Sequence, residues 1–97
     1  MKNFNQKVAA ITGAGSGIGQ QLAILLAQQG THLALSDVNE QGLVETRSLI
    51  AQYPVNATFT QLDVSNQEAV RAWAADSFTH HGKINLIFNN AGVALAS

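Results

Sequence analysis

Apolar residues come in short blocks along this chain, and the blocks switch between two rhythms. Val8-Ala9-Ala10-Ile11 is a continuous apolar run, so Lys7–Thr12 reads as a strand buried on both faces. Ile18, Leu22, Leu25 and Leu26 then recur at three- and four-residue spacing, which predicts a helix over Gly17–Gln29 stopped by Gly30. His32–Ser36 returns to strand character. Leu43, Arg47 and Ile50 fall in phase on a second helix from Asn39 to Ala51. Tyr53-Pro54 closes that helix, because the residue before a proline is pushed out of the helical region. Thr58-Phe59-Thr60-Gln61-Leu62 alternates, marking Ala57–Leu62 as a strand near a sheet edge. Ser65-Asn66-Gln67-Glu68 has the form of a capping box for a third helix. The apolar stripe of that helix is Val70, Trp73, Ala74 and Phe78, with Trp73 and Phe78 assigned to the core. Gly82 ends it, and Ile84–Asn89 is apolar on both faces, as an interior parallel strand should be.

Strand and helix patterns alternating with short breaks specify βαβ units, hence an α/β protein with a doubly wound parallel sheet. Right-handed crossovers are expected, with the four strands in spatial order 3-2-1-4. No repeat, low-complexity tract or linker divides the 97 residues. Strand four is followed by Asn89-Asn90-Ala91-Gly92 and then by five residues ending at Ser97. A long apolar edge strand without cover is a feature that natural domains avoid. Residues 1–97 are therefore expected to be the N-terminal part of a longer doubly wound domain, truncated after strand four.

Composition narrows the classes. An apolar fraction of 46% with 11% charged residues is core-rich and unlike a disordered segment. The net charge is −1, and the five basic residues (Lys2, Lys7, Arg47, Arg71, Lys83) are scattered. That argues against nucleic acid or an acidic membrane surface as a partner. The absence of cysteine excludes disulfides and thiolate metal sites. The N-terminus has no signal-like apolar stretch, and no run approaches a membrane span, so a soluble cytoplasmic protein is expected.

Candidate chemistry is concentrated in Thr12-Gly13-Ala14-Gly15-Ser16-Gly17-Ile18-Gly19. Four glycines at alternate positions, between a buried strand and a helix, form a loop whose backbone can approach an anion. The following helix offers free N–H groups and the positive end of its dipole to a pyrophosphate. The pattern T-G-x-x-x-G-I-G departs from the strict G-x-G-x-x-G fingerprint. No Lys-Ser or Lys-Thr follows, which excludes a P-loop. The bland alternative is a tight structural turn. Asp37 ends strand two, eighteen residues beyond Gly19, where a carboxylate accepts hydrogen bonds from the adenosine ribose and repels a 2′-phosphate. Its alternative role is to cap the second helix, a task Asn39 can also perform.

Asp63-Val64 follows strand three, placed to meet adenine, although Asp63 could equally cap the third helix. Asn89-Asn90-Ala91-Gly92 ends strand four at the crevice where open α/β sheets bind ligands. An asparagine there can tie neighbouring strands together, and the bland alternative is a plain turn. His80 and His81 are adjacent and His32 is alone, so no metal site is expected. No Ser–His–Asp arrangement has supporting context.

Taken together, Thr12-Gly13-x-x-x-Gly17-Ile18-Gly19, Asp37, Asp63-Val64 and Asn89-Asn90-Ala91-Gly92 resemble the short-chain dehydrogenase/reductase family. The resemblance spans the whole chain with order and spacing in register. It implies a Rossmann-type fold, a nicotinamide dinucleotide (NAD, with NADP less favoured) and hydride transfer between an alcohol and a carbonyl compound. In that family Gly13, Gly17 and Gly19 shape the phosphate turn, with Gly15 inside it, and Ser16, Gly17 and Ile18 approach the pyrophosphate. Asp37 serves the ribose and Asp63-Val64 the adenine. Asn89–Gly92 stabilises the sheet, with Asn90, Ala91 and Gly92 near the cofactor. The implied partners are a small alcohol or ketone and further copies of the full-length chain.

The family's catalytic Tyr-x-x-x-Lys, serine and asparagine lie beyond the Asn-Asn-Ala-Gly motif. Here the sole tyrosine, Tyr53, precedes strand three with Ala57 four residues on, so no catalytic residue is assigned and these 97 residues alone should not turn over substrate. Two other classes compete. One is a non-catalytic dinucleotide-binding module, told apart by whether a Tyr-x-x-x-Lys follows Ser97. The other is a methyl donor-binding α/β domain, disfavoured by the intact glycine and asparagine motifs.

Overall fold

Strands and helices alternate without interruption in the computed structural model, which describes residues 4–90. The order is β1 (Val8–Thr12), α1 (Gly17–Gln28), β2 (His32–Asp37), α2 (Glu40–Ile50), β3 (Ala57–Gln61), α3 (Gln67–His81) and β4 (Leu86–Asn89). The four strands form one sheet in the order β3-β2-β1-β4, and every pairing is parallel. Ala9 stands opposite Leu33 on one side and Leu86 on the other; Thr12 stands opposite Ser36 and Asn89. The expected Rossmann-type order is therefore the one observed.

The period-two alternation of strand side chains divides the core between the two faces of the sheet. Ala9, Ile11, Leu33 and Leu35 point to one face, where they pack with Ala23, Leu26 and Ala27 of α1 and Leu43 and Ile50 of α2. Ala10 and Ala34 point to the other, under Trp73 of α3 and Leu62. The chain steps outward from β1 to β3 with its helices on one face, and returns to β4 with α3 on the other. All three crossovers thus share one hand, as parallel βαβ units require. No described helix is long and apolar enough to cross a membrane.

Several expectations are corrected. The cap of α3 is Asn66, whose side chain accepts from the Ala69 N–H, and not Ser65 of the anticipated capping box. The Ser65 hydroxyl donates instead to the Asp63 carboxylate at 2.8 Å, which removes it from the helix terminus. Phe78 is not in the core: it is 57% exposed, whereas Trp73 is buried as expected. On α1 the buried residues are Gly19, Ala23, Leu26 and Ala27, while Ile18 and Leu25 of the anticipated apolar series face outward. Small residues win that face because α1 lies close on the sheet. Helix α2, by contrast, ends as expected, with Asn39 and Ala51 as its caps ahead of Tyr53-Pro54. Strand β4 begins at Leu86, two residues later than expected, and Ile87 on its α3 face is 74% exposed.

Candidate functional site

All four strands point their carboxyl ends the same way, and strand order reverses at β1, between β2 and β4. The helices on the two sides of β1 lie on opposite faces of the sheet, α1 and α2 on one and α3 on the other, the arrangement that opens a crevice at such a point. A cleft of about 620 Å³ occupies that place, lined by Gly13, Ser16, Gly17, Ile18, Asp37, Val38, Leu62, Asp63, Val64 and Asn90. Eight of the residues singled out in the sequence thus meet around one cavity, with Gly15 and Gly19 packed behind them. Ala91 and Gly92 lie outside the described residues.

The glycine loop has backbone and steric reasons for its composition. Gly13 and Gly17 have φ of 69° and 55°, the left-handed region that disfavours side chains. At Gly15 a Cβ would come within 2.9 Å of the Asp37 carboxylate and 3.1 Å of the Gly42 backbone. At Gly19 it would run into the Gly13 carbonyl and the Asn90 side chain. The loop is therefore a cradle in which β1, α1, α2 and β4 converge.

The three described helices differ at their N-termini. Asn39 caps α2 and Asn66 caps α3, and each first turn carries a glutamate, Glu40 or Glu68. Helix α1 starts after Ser16, whose side chain makes no cap hydrogen bond, and its first turn carries no acid. The N–H groups and dipole of α1 are left without a side-chain counter-group at the mouth of the cleft, an arrangement suited to an anion.

Asp37 is not the cap of α2, since Asn39 fills that position. One carboxylate oxygen accepts from the Gly15 N–H at 2.7 Å and the other from the Asn39 N–H at 2.9 Å. Asp63 likewise does not cap α3. Its carboxylate accepts from the Ser65 N–H at 3.0 Å and the Ser65 hydroxyl at 2.8 Å. The backbone and side-chain bonds from Ser65 hold its pKa below the usual carboxylate value. At the end of β4, the Thr12 hydroxyl of β1 donates to the Asn89 side-chain oxygen at 3.1 Å. The Asn90 amide donates to the Gly13 carbonyl at 3.4 Å. These asparagines tie β4 to β1 and to the glycine loop.

Three residues behind the loop escaped the sequence reading. Gly42 approaches Gly15 so closely that a Cβ on it would meet the Gly15 carbonyl at 2.6 Å. The Thr46 hydroxyl donates to the Ala14 carbonyl at 2.7 Å, and the Gln20 amide reaches both the Gly15 carbonyl and the Thr46 oxygen. A glycine inside α2, which costs about 1 kcal/mol relative to alanine, was the one available signal. The histidines hold the opposite end of the sheet. His32 Nδ1 accepts from the Asn56 N–H, and His81 Nε2 lies 3.2 Å from the Thr58 hydroxyl. No cluster that could hold a metal occurs among the described residues.

Comparison with known proteins agrees with this geometry. The family model described as short chain dehydrogenase matches residues 7–97. The chain is 45% identical over 94 residues to SadH of Mycobacterium tuberculosis, covering 97% of this chain and 34% of that protein. It is 39% identical over 90 residues to cyclohexanol dehydrogenase of an Acinetobacter strain, covering 93% of this chain and 36% of that one. Among solved structures, NAD+-bound xylitol dehydrogenase superposes with a TM-score of 0.89 at 40% identity, over 94% of this chain and 35% of the other. The chain spans about a third of the length of the relatives it matches. With a family match running through β1 to β4, and a fold shared with an NAD-bound dehydrogenase, the chain belongs to the short-chain dehydrogenase/reductase family.

Proposed function

We propose that this chain is the cofactor-holding part of an oxidoreductase that interconverts an alcohol and a carbonyl compound, using NAD in preference to NADP. The observation that carries the reading is the meeting, in one cleft, of the uncapped α1 N-terminus with the Asp37 carboxylate. The residues present fit a dinucleotide. Gly13 and Gly17 line the cleft without side chains, so the loop backbone is the surface offered to a ligand there. The α1 terminus suits the pyrophosphate, with Ser16, Gly17 and Ile18 alongside. Asp37 accepts from the adenosine ribose hydroxyls, and its charge disfavours a 2′-phosphate. Neighbouring Val38 and Ser16 supply no positive charge to offset that repulsion. Asp63 and Val64 flank the adenine, and Asn90 borders the path toward the nicotinamide; Ala91 and Gly92 are assigned to the cofactor by the sequence motif alone. When bound, the nicotinamide ring supplies a hydride donor or acceptor.

The acid/base group that completes such a reaction is assigned outside these residues. Tyr53 stands before β3, at the amino-terminal end of the sheet, where its hydroxyl accepts from Gln28 at 3.1 Å. It is remote from the carboxyl-end cleft. These 97 residues are accordingly read as binding and orienting cofactor without turning over substrate.

Titration with both dinucleotides tests the reading. The protein is expected to bind NAD at least about tenfold more tightly than NADP. Asp37→Ala is expected to lose about tenfold in NAD affinity, the scale of hydrogen bonds to a charged group, and to narrow the gap between the two cofactors. Equal binding of NAD and NADP by the wild type would remove the ribose assignment. NAD binding without alcohol oxidation in the full-length protein would favour a non-catalytic module instead.

A further inference from the structure

Gly15 shares one peptide with Ala14 and the next with Ser16, so its missing Cβ loosens one side of each peptide plane without fixing its direction. Something else must decide which way the carbonyls face. A trans peptide points its C=O and the following N–H in opposite directions, so fixing one fixes the other. In the 14–15 peptide, the Ala14 carbonyl accepts from Thr46 and the Gly15 N–H donates to Asp37. In the 15–16 peptide, the Gly15 carbonyl accepts from Gln20 at 3.3 Å, which turns the Ser16 N–H away from Gln20.

The Thr46 hydroxyl is fully buried: it accepts from Gln20 at 3.0 Å, and its one proton faces the Ala14 carbonyl at 2.7 Å, with the Gly42 carbonyl of its own helix the longer alternative at 3.1 Å. Neither Thr46 nor Gln20 lines the cleft. Gly42 lets α2 come close enough for Thr46 to reach the loop.

We propose that Thr46 and Gln20 are positioning residues that turn the Ala14 and Gly15 carbonyls away from the phosphate-binding face, and so set affinity for the anionic part of a dinucleotide. This rests on the reading of the cleft as a dinucleotide site. A carbonyl released from either residue can rotate toward the cleft, where its oxygen repels phosphate and its peptide N–H is withdrawn. Turning the 15–16 peptide costs pyrophosphate contacts alone, whereas turning the 14–15 peptide also takes the Gly15 N–H from Asp37 and so touches the ribose side as well.

The test compares wild type with Thr46→Val, Thr46→Ser and Gln20→Leu, using NAD, ADP-ribose and adenosine as probes. One lost hydrogen bond predicts dissociation constants for NAD and ADP-ribose raised about three- to tenfold in Thr46→Val and Gln20→Leu. Adenosine binding stays within about twofold in Gln20→Leu but weakens in Thr46→Val, where Asp37 loses the Gly15 N–H, and Thr46→Ser restores most of the loss. Gln20→Leu reads the Gly15 carbonyl from a partly exposed site, should Thr46→Val not fold. Without ligand, the backbone amide resonances of Gly15, Ser16 and Gly17 are expected to shift or broaden in both variants while those of Leu33–Leu35 hold. Unchanged NAD affinity, equal loss for adenosine and NAD in Gln20→Leu, or unmoved loop amides would each overturn the proposal. A wild type that bound no NAD would instead remove the dinucleotide reading, and the loop amides would still report whether Thr46 and Gln20 fix the peptides.

Discussion

His81 joins α3 to β3 through its contact with the Thr58 hydroxyl, and its surroundings favour the neutral ring. Partial burial lowers its pKa below 6.5, and the positive potentials of His80 and His32 lower it further. His80 faces it edge-on along α3, and His32 approaches from β2. The folded pKa is below the unfolded one, so the unfolded chain binds protons more readily as pH falls. Stability is therefore complete above about pH 6.5 and is lost as pH drops below that toward the folded value. Denaturant unfolding at pH 7.5 and 5.5 should show lower stability at 5.5, and His81→Gln should reduce the difference. An equal difference in the variant would place the titrating group elsewhere. At this scale Asp37 was legible because its distance from the glycines is set by one βαβ unit. Thr46 and Gln20 were not, since their partners are main-chain carbonyls of a loop that only tertiary packing brings near.

Helix termini show how local chemistry chooses between neighbouring candidates. Ser65 and Asn66 both suit the start of α3, and Glu68 favours Ser65 through the capping-box pattern. Asp63 decides otherwise by taking both the N–H and the hydroxyl of Ser65. Asn66→Ala should cost about 1 kcal/mol in urea unfolding, and Ser65→Ala clearly less. A larger loss for Ser65→Ala would restore the capping box. Element types were readable because buried strands and amphipathic helices differ in period, and Gly82, at φ 82°, closes α3 as expected. Which helix face turns inward was less so. Small residues on α1 allow close approach to the sheet, and Ile18 and Leu25 are displaced outward despite their hydrophobicity. Arg47, in phase with Leu43 and Ile50, is not core either; its guanidinium lies 4.6 Å over the Phe59 ring, at the edge of the sheet.

Across the whole molecule the two sheet faces are unequally covered: α1 and α2 share one, and α3 alone lies on the other. Ile87 on β4 is 74% exposed on that second face, and no described strand pairs with the far edge of β4. The 97-residue chain is expected to self-associate through this surface. Sedimentation should show concentration-dependent oligomers that Ile87→Lys diminishes without loss of stability; an unchanged distribution would place association elsewhere. Alternation marked a parallel sheet and handedness the faces of its helices, but both also allow strands in simple succession; the order 3-2-1-4, and with it the place of the cleft, goes with the Rossmann-type fold that the family motifs imply. The bond between the Gly15 N–H and Asp37 has a consequence for redesign. Exchanging Asp37 for a small neutral residue to admit a 2′-phosphate also strips the loop of an acceptor, so charge and loop geometry change in a single step. Substitutions here should be epistatic, and the path of least damage runs first through Asp37→Asn, which drops the charge yet keeps an oxygen for Gly15, before any arginine is introduced nearby.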